Sequence, residues 1–319
     1  MFVAGSVGKA VRIRCLLLVG CLVVGLAPRR AQASELKAET ILSFNHYVQL
    51  VESRLNDDLR NGNFLYVDSF PSDTRGPIIE QIRHGEYYIQ ELSIQENGLS
   101  VPVPYGLIHH WIGIEFIPGA TYAQTMAILL DFDRQAQIYK PDVRRSKLLS
   151  IDGNRSKIYL QYYKKSLVTA VLNAEFNTEY RPLGNFRGET RSYSTRIAEI
   201  QDFGEPEEKE LPVGKDHGYM WRLNSYWRIE EKDGGVYVQV ESVALSRRIP
   251  SVFAWIVEPT VRSLSKAVVR NLLTGTAKAV NNGGPSKASV VGNPMENPAQ
   301  APDSRKGNTH NPDSNPKPK

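Results

Sequence analysis

The 319-residue chain carries 39 basic and 34 acidic residues and is 41% hydrophobic, the balance of an ordinary folded protein with one large domain or two modest ones. Five of the basic residues (Lys9, Arg12, Arg14, Arg29 and Arg30) fall within residues 1–33, which hold no acid; these five removed from 39 leave 34, equal to the acids. The remainder is formally neutral and has no net excess from which to build a large basic face, so no nucleic acid is expected as a partner.

Residues 1–33 read as an export signal. Lys9, Arg12 and Arg14 precede the apolar run "CLLLVGCLVVGLA" (15–27), which is too short to span a membrane comfortably, and "AQA" (31–33) supplies small residues for cleavage after Ala33. The weaker alternative is a lipid anchor at Cys21, which sits in the middle of the apolar run rather than at its end. Cys15 and Cys21 are the only cysteines, so cleavage after Ala33 would leave a mature chain, periplasmic or secreted, with neither a disulfide nor a thiol nucleophile.

The stretch 40–62 places Phe44, Tyr47, Val48, Val51, Leu55 and Leu59 at helical spacing and stops at Asn61-Gly62. "FLYVDSF" (64–70) predicts a short strand and Pro77 marks the start of a short helix, which together make 34–83 an N-terminal helical extension. Strands are expected at 86–94 and 106–120. A helix follows, with Thr121 as N-cap and Gln124 completing a capping box, and it breaks at Lys140-Pro141. The period then changes to two. A hairpin about Asp152-Gly153 spans 147–165, strands follow at 167–180 and 191–200, and 202–218 reads as a long loop. A last helix is expected over 258–280, with Pro259 in its first turn and Val257, Val261, Leu264, Val268 and Leu272 on one face. Seven of the 19 prolines fall within 282–319, a composition that predicts a disordered tail.

The segment "YMWRLNSYWRIEEKDGGVYVQVESVAL" (219–245) reads as a hairpin turning at Asp233-Gly234. That turn sets Ile229 opposite Val238, Trp227 opposite Val240, Ser225 opposite Ser242 and Leu223 opposite Ala244. Trp221, Leu223, Trp227, Val238 and Val240 then share an apolar inward face. Arg222, Tyr226, Arg228 and Glu241 share a polar face, expected to be solvated because an antiparallel sheet usually wets one side.

This order of elements, with "FIPGATYAQTMAILLDFDRQAQIYKPDVRRSKLL" (116–149) and the W…DGG-VYVQV…IP…W…P passage (227–259), resembles the START-like (SRPBCC, helix-grip) superfamily of lipid-transfer domains, pollen allergens and polyketide cyclases. The resemblance covers 84–281. It implies an α+β fold in which a curved antiparallel sheet wraps around a long C-terminal helix, with a hydrophobic cavity between them. The residues that would line such a cavity are Trp221, Leu223, Trp227, Val238 and Val240 on the sheet and Val261, Leu264, Val268 and Leu272 on the helix. The same residues are also what a filled core would use.

No G-x-S-x-G, P-loop or standard metal-ligand spacing is present. His109, Trp111 and Glu115 share a strand face, and His217 is the one further ligand that can be imagined with them. No catalytic residue, cofactor or metal is assigned. The leading expectation is an exported carrier that holds a lipid-like or other hydrophobic small molecule non-covalently, with transient membrane contact. The alternatives are a cyclase- or aromatase-like enzyme using Ser225, Ser242, His110 or Arg196 inside the same cavity, and a scaffold with a filled core that acts through partners. The oligomeric state is not legible.

Overall fold

In the computed structural model, which describes residues 34–165 and 169–283, the alternating segments join into one nine-stranded antiparallel sheet. In chain order the elements are β1 (Ser34–Glu35), α1 (Ala38–Arg60), a 3-10 turn (Tyr66–Ser69), α2 (Ser72–Arg83), β2 (Tyr88–Glu91), β3 (Gln95–Glu96), β4 (Leu99–Ser100), β5 (Gly106–Pro118), α3 (Tyr122–Leu129) and, after a second 3-10 turn, α4 (Gln135–Ile138). There follow β6 (Val143–Asp152), β7 (Arg155–Lys165), β8 (Thr169–Gly184), β9 (Arg187–Gln201), β10 (Lys209–Glu210), β11 (Lys215–Asp216), β12 (Arg222–Lys232), β13 (Gly235–Arg247) and α5 (Ser251–Asn281). The sheet runs β2-β5-β13-β12-β9-β8-β7-β6, with β10 beside β9. The helix-grip arrangement is therefore present, with α5 seated against β5, β13 and β2. The expected export signal, the part of the expected tail beyond Gly283 and residues 167–168 of an expected strand lie outside the described residues.

Several local expectations are met by their physical causes. Thr121 Oγ1 accepts from Gln124 N at 3.3 Å and Gln124 Oε1 accepts from Thr121 N at 3.1 Å, which closes the capping box. The β12–β13 hairpin has the anticipated register, with Trp227 opposite Val240 and Lys232 opposite Gly235, and Asp233 and Gly234 hold the positive φ of a tight turn. Several elements differ from expectation: the helix expected from Thr121 to the break at Lys140-Pro141 is split into α3, a 3-10 turn and α4, the loop expected at 202–218 holds β10 and β11, and α2 begins at Ser72 rather than near Pro77. Residues 64–70 form a 3-10 turn rather than a strand, because the Asp68 carboxylate accepts from the backbone N–H of Phe64 and Leu65 at 3.1 and 2.8 Å and curls the segment back. Helix α5 starts at Ser251, so Pro259 lies inside the helix and not in its first turn.

The larger correction concerns the polar face of the hairpin, which is not solvated. Tyr226, Arg228 and Glu241 are 3%, 1% and 0% exposed, and Arg222 is half-buried. Helix α1 lies across this outer face and buries Phe44, Tyr47, Val48, Val51 and Leu55 against Trp221, Tyr226, Val243 and Leu245. The 3-10 turn and α2 continue the layer, with Phe64, Leu65, Val67 and Ile82 against Ile114 and Tyr237. The charges buried beneath α1 have polar partners, although Glu241 Oε2 and the Nε atoms of Arg54 and Arg228 form no hydrogen bond among the described residues. Glu241 takes an ion pair from Arg54 and a 2.7 Å contact from His110 Nε2, while His110 Nδ1 lies 2.9 Å from the Tyr47 hydroxyl. Burial alone would push the Glu241 carboxyl up, but the His110 bond and the Arg54 charge outweigh it and hold its pKa below the usual value. Arg228 donates to the carbonyls of Phe64 at 2.9 Å and Leu55 at 2.5 Å, and Arg191 donates to Glu189 at 2.9 Å and to Asn56 at 2.7 Å.

Removing one member of such a network strands the others in a dry site. Arg228→Ala should therefore lower the unfolding free energy by about 3 kcal/mol, read as a shifted urea midpoint. A loss within about 0.5 kcal/mol, the range of an ordinary surface substitution, would mean that the guanidinium does not hold α1 to the sheet.

Candidate ligand cavity

Between the inner face of the sheet and α5 lies a cavity of about 710 Å³. Six of the nine anticipated lining residues reach it: Leu223 and Trp227 from β12, and Val261, Leu264, Val268 and Leu272 from α5. Trp227 is buried, and the other five are half-buried at apolar positions that line this space. The expected alternative of a filled core is therefore not what the chain builds at this end of the sheet.

Three anticipated residues do not line it. Trp221 belongs to the outer layer, where its Nε1 donates to Asp216 at 2.9 Å. Alternation fails there because β12 begins only at Arg222, and the chain bends through residues 218–221. Val238 and Val240 do face inward, but both are wholly buried in the packed end of the core. The reason is Gly113, directly opposite Val240 on β5. A Cβ at Gly113 would stand 2.5 Å from Val269 and 2.9 Å from Leu273, so α5 rests on the bare backbone and leaves no space beside the two valines.

The rest of the lining comes from residues that the sequence shows only as periodic apolar positions. Leu129 and Phe132 belong to the segment after the capping box, and Leu172 and Phe176 alternate along β8. Trp111 joins them from β5. Of the polar candidates, Ser225 and Ser242 line the cavity. His110 is on the outer face and Arg196 pairs with Glu210, so neither serves it. His109 does line it, with Nε2 at 2.8 Å from Ser246 Oγ, and burial lowers its pKa to about 4, leaving the ring neutral near pH 7.

His217 also reaches the cavity, but its Nδ1 is 2.9 Å from Glu199. Among the described residues, no three His, Cys, Asp or Glu side chains are grouped to hold a metal. The inward Glu115 lies outside the cavity lining. It is 4% exposed, its Oε1 has no hydrogen-bond partner, and burial raises its pKa to about 8. The charged groups of the lining, Asp142, Lys164 and Arg247, include one ion pair, Lys164 Nζ to Asp142 at 2.8 Å. The remainder of the surface is apolar or neutral, so it offers desolvation and hydrogen bonds rather than charge.

No protein-family model matches the chain, and no curated protein does. Among solved structures it is similar to a STAR-related lipid transfer protein from Xanthomonas axonopodis, at 15% identity and a TM-score of 0.41, covering 60% of this chain and 98% of that one. It is also similar to human STARD10, at 10% identity and a TM-score of 0.39, covering 66% and 81%. A third is the Zhui aromatase/cyclase from Streptomyces sp. R1128, at 11% identity and a TM-score of 0.33, covering 56% and 100%.

Glu115 gives the fold a pH signature. Its folded pKa lies above the ordinary carboxylate value of 4.5, so the unfolded chain releases this proton first as pH rises. Stability is full below about pH 4.5 and falls by up to about 1.4 kcal/mol per unit until pH reaches the folded value. Glu115→Gln should unfold at a higher urea midpoint than the parent at pH 8, and the gap should close near pH 4.5. An equal gap at both pH values would show that the carboxyl is not held neutral.

Proposed function

We propose that this chain binds and carries a hydrophobic small molecule, without covalent chemistry, in the cavity between its sheet and α5. The observation that carries this reading is the volume of about 710 Å³ walled by Trp111, Trp227, Leu223, Val261, Leu264 and Val268. That size falls within the range of roughly 300–1,000 Å³ usual for ligand pockets. An apolar molecule that loses about 300 Å² of water contact there gains roughly 7 kcal/mol before the cost of association. The same cavity, left empty, would forfeit packing contacts on both sheet and helix. The alternative, a cyclase-like enzyme, rests on the His109–Ser246 contact, the one serine–imidazole pair among the described lining residues.

The discriminating experiment is to purify the protein, extract it with organic solvent and identify what co-purifies by mass spectrometry. A hydrophobic compound at near-stoichiometric yield is expected. Leu264→Trp, which fills the space from the helix side, should lose that compound while the protein stays folded. Ser246→Ala should retain it unchanged, whereas recovery of a different compound from this variant would favour the enzyme. A folded protein that yields no compound and binds no added apolar probe would overturn the carrier reading.

The proposal includes export, on the basic, apolar and small-residue segments of 1–33. N-terminal sequencing of the protein recovered outside the inner membrane should begin at Ser34. An intact leader on a cytoplasmic product would end that part of the proposal.

A further inference from the structure

A row of hydrogen-bonding side chains crosses the cavity floor from strand to strand. Thr178 on β8 stands opposite Ser192 on β9, Ser192 opposite Ser225 on β12, Ser225 opposite Ser242 on β13, and Ser242 opposite Trp111 on β5. All five residues line the cavity. With neighbouring strands about 4.8 Å apart, the row runs about 19 Å across the sheet. The next inward row, Gly113, Val240, Trp227, Thr190 and Tyr180, is bare or apolar over its first three strands and its Tyr180 hydroxyl is paired with that of Tyr122, so the run of adjacent hydroxyls is a local feature of the floor.

The polar atoms of this row are poorly matched within the protein. Thr178 and Ser192 share one contact of 2.8 Å. Ser225 and Ser242 are half-buried and face the cavity without a side-chain hydrogen bond among the described residues, and the buried Trp111 indole N–H has no acceptor. Covering such a hydroxyl or indole N–H with an apolar molecule that does not pair it costs free energy. Alanine or valine would avoid that cost if the floor only had to pack. Facing this row, α5 presents Val257, Val261, Leu264, Val268 and Leu272, and the Ser265 hydroxyl among them donates back to the Val261 carbonyl at 3.1 Å. None of the charged lining residues stands on the row.

We propose that the ligand is an uncharged, elongated and facially amphiphilic molecule, with hydroxyl or carbonyl oxygens along the face laid on the Thr178–Ser192–Ser225–Ser242–Trp111 row and hydrocarbon on the face turned to α5. The inference rests on the carrier reading and narrows it. A plain acyl chain would leave the row unpaired, and an anionic head on the row would find no cation there. A rigid ring system holds its oxygens on one side and meets the row without first being ordered.

Two uncharged steroid esters test this on the full chain stripped of bound compounds. Methyl cholate carries hydroxyls on one face, and methyl cholanate has the same ring skeleton without them. Binding is followed by the fluorescence of the cavity tryptophans. The parent should prefer methyl cholate by about tenfold, equivalent to about 1.4 kcal/mol. The double variant Ser225→Ala/Ser242→Ala, checked for cooperative unfolding, should bind the two esters about equally and bind methyl cholanate at least as tightly as the parent does. Equal binding by the parent, or a preference that survives in the double variant, would overturn the proposal and leave the carrier reading standing. If neither ester binds but the uncharged dye N-phenyl-1-naphthylamine does, the proposal falls alone. If the dye is also refused, the carrier reading falls with it.

Discussion

The contact of α5 with the bare backbone of Gly113 decides which part of the inner face is core and which is container. Val269 and Leu273 sit where a Cβ would be, and a second close approach repeats the device at Gly275, whose Cβ would stand 2.7 Å from the Ile138 carbonyl oxygen. These contacts hold the C-terminal half of the helix against β5 and α4, where Val238, Val240 and Ile229 are sealed. Val257, Val261 and Leu264 in the N-terminal half, with Val268 and Leu272 past the midpoint, stand above serines, Leu223 and Trp227, and there the two layers do not close. One helix therefore both completes the core and roofs the cavity. Any change that lifts it from Gly113 alters both.

A sheet that leaves much of one face unpacked forgoes contacts worth several kcal/mol, since each buried side chain facing a void loses its partners on that side. The outer face supplies the compensation. Two further apolar clusters form there, one under α1 and one under the 3-10 turn and α2. The N-terminal segment, which the superfamily resemblance leaves out, is thus the second layer of the sheet and not an appendage to it.

Much of this was legible in the sequence, because it depends on short-range rules. The capping box at Thr121, the Asp233-Gly234 turn and the register it imposes follow from local geometry alone. The burial of Arg228 and Glu241 did not follow, since a charged strand face reads the same whether water or a helix covers it. The signal lay in two separate places: the apolar stripe of Phe44, Tyr47, Val48, Val51 and Leu55 needed a partner, and Tyr226, Val243 and Leu245 interrupt the polar face. Matching them is a long-range problem. Likewise, Val238 and Val240 are indistinguishable from cavity-lining residues until the missing side chain of Gly113 is seen opposite Val240.

The buried charges on the outer face also specify the inner one. Along β12 and β13 successive residues point to opposite sides, so Arg228 and Glu241 beneath α1 fix Trp227 and Ser242 towards the cavity. Sliding either strand by one residue would send an arginine or a glutamate into an apolar space and withdraw it from Arg54, His110 and the carbonyls of Leu55 and Phe64. An unpaired buried charge costs several kcal/mol, more than a poorly packed valine. An apolar core tolerates such slips better than a matched ionic network does, and a half-empty cavity has few packing contacts of its own to oppose them. The ion pairs under α1 therefore hold the strand register that places Ser225 and Ser242 side by side on the cavity floor.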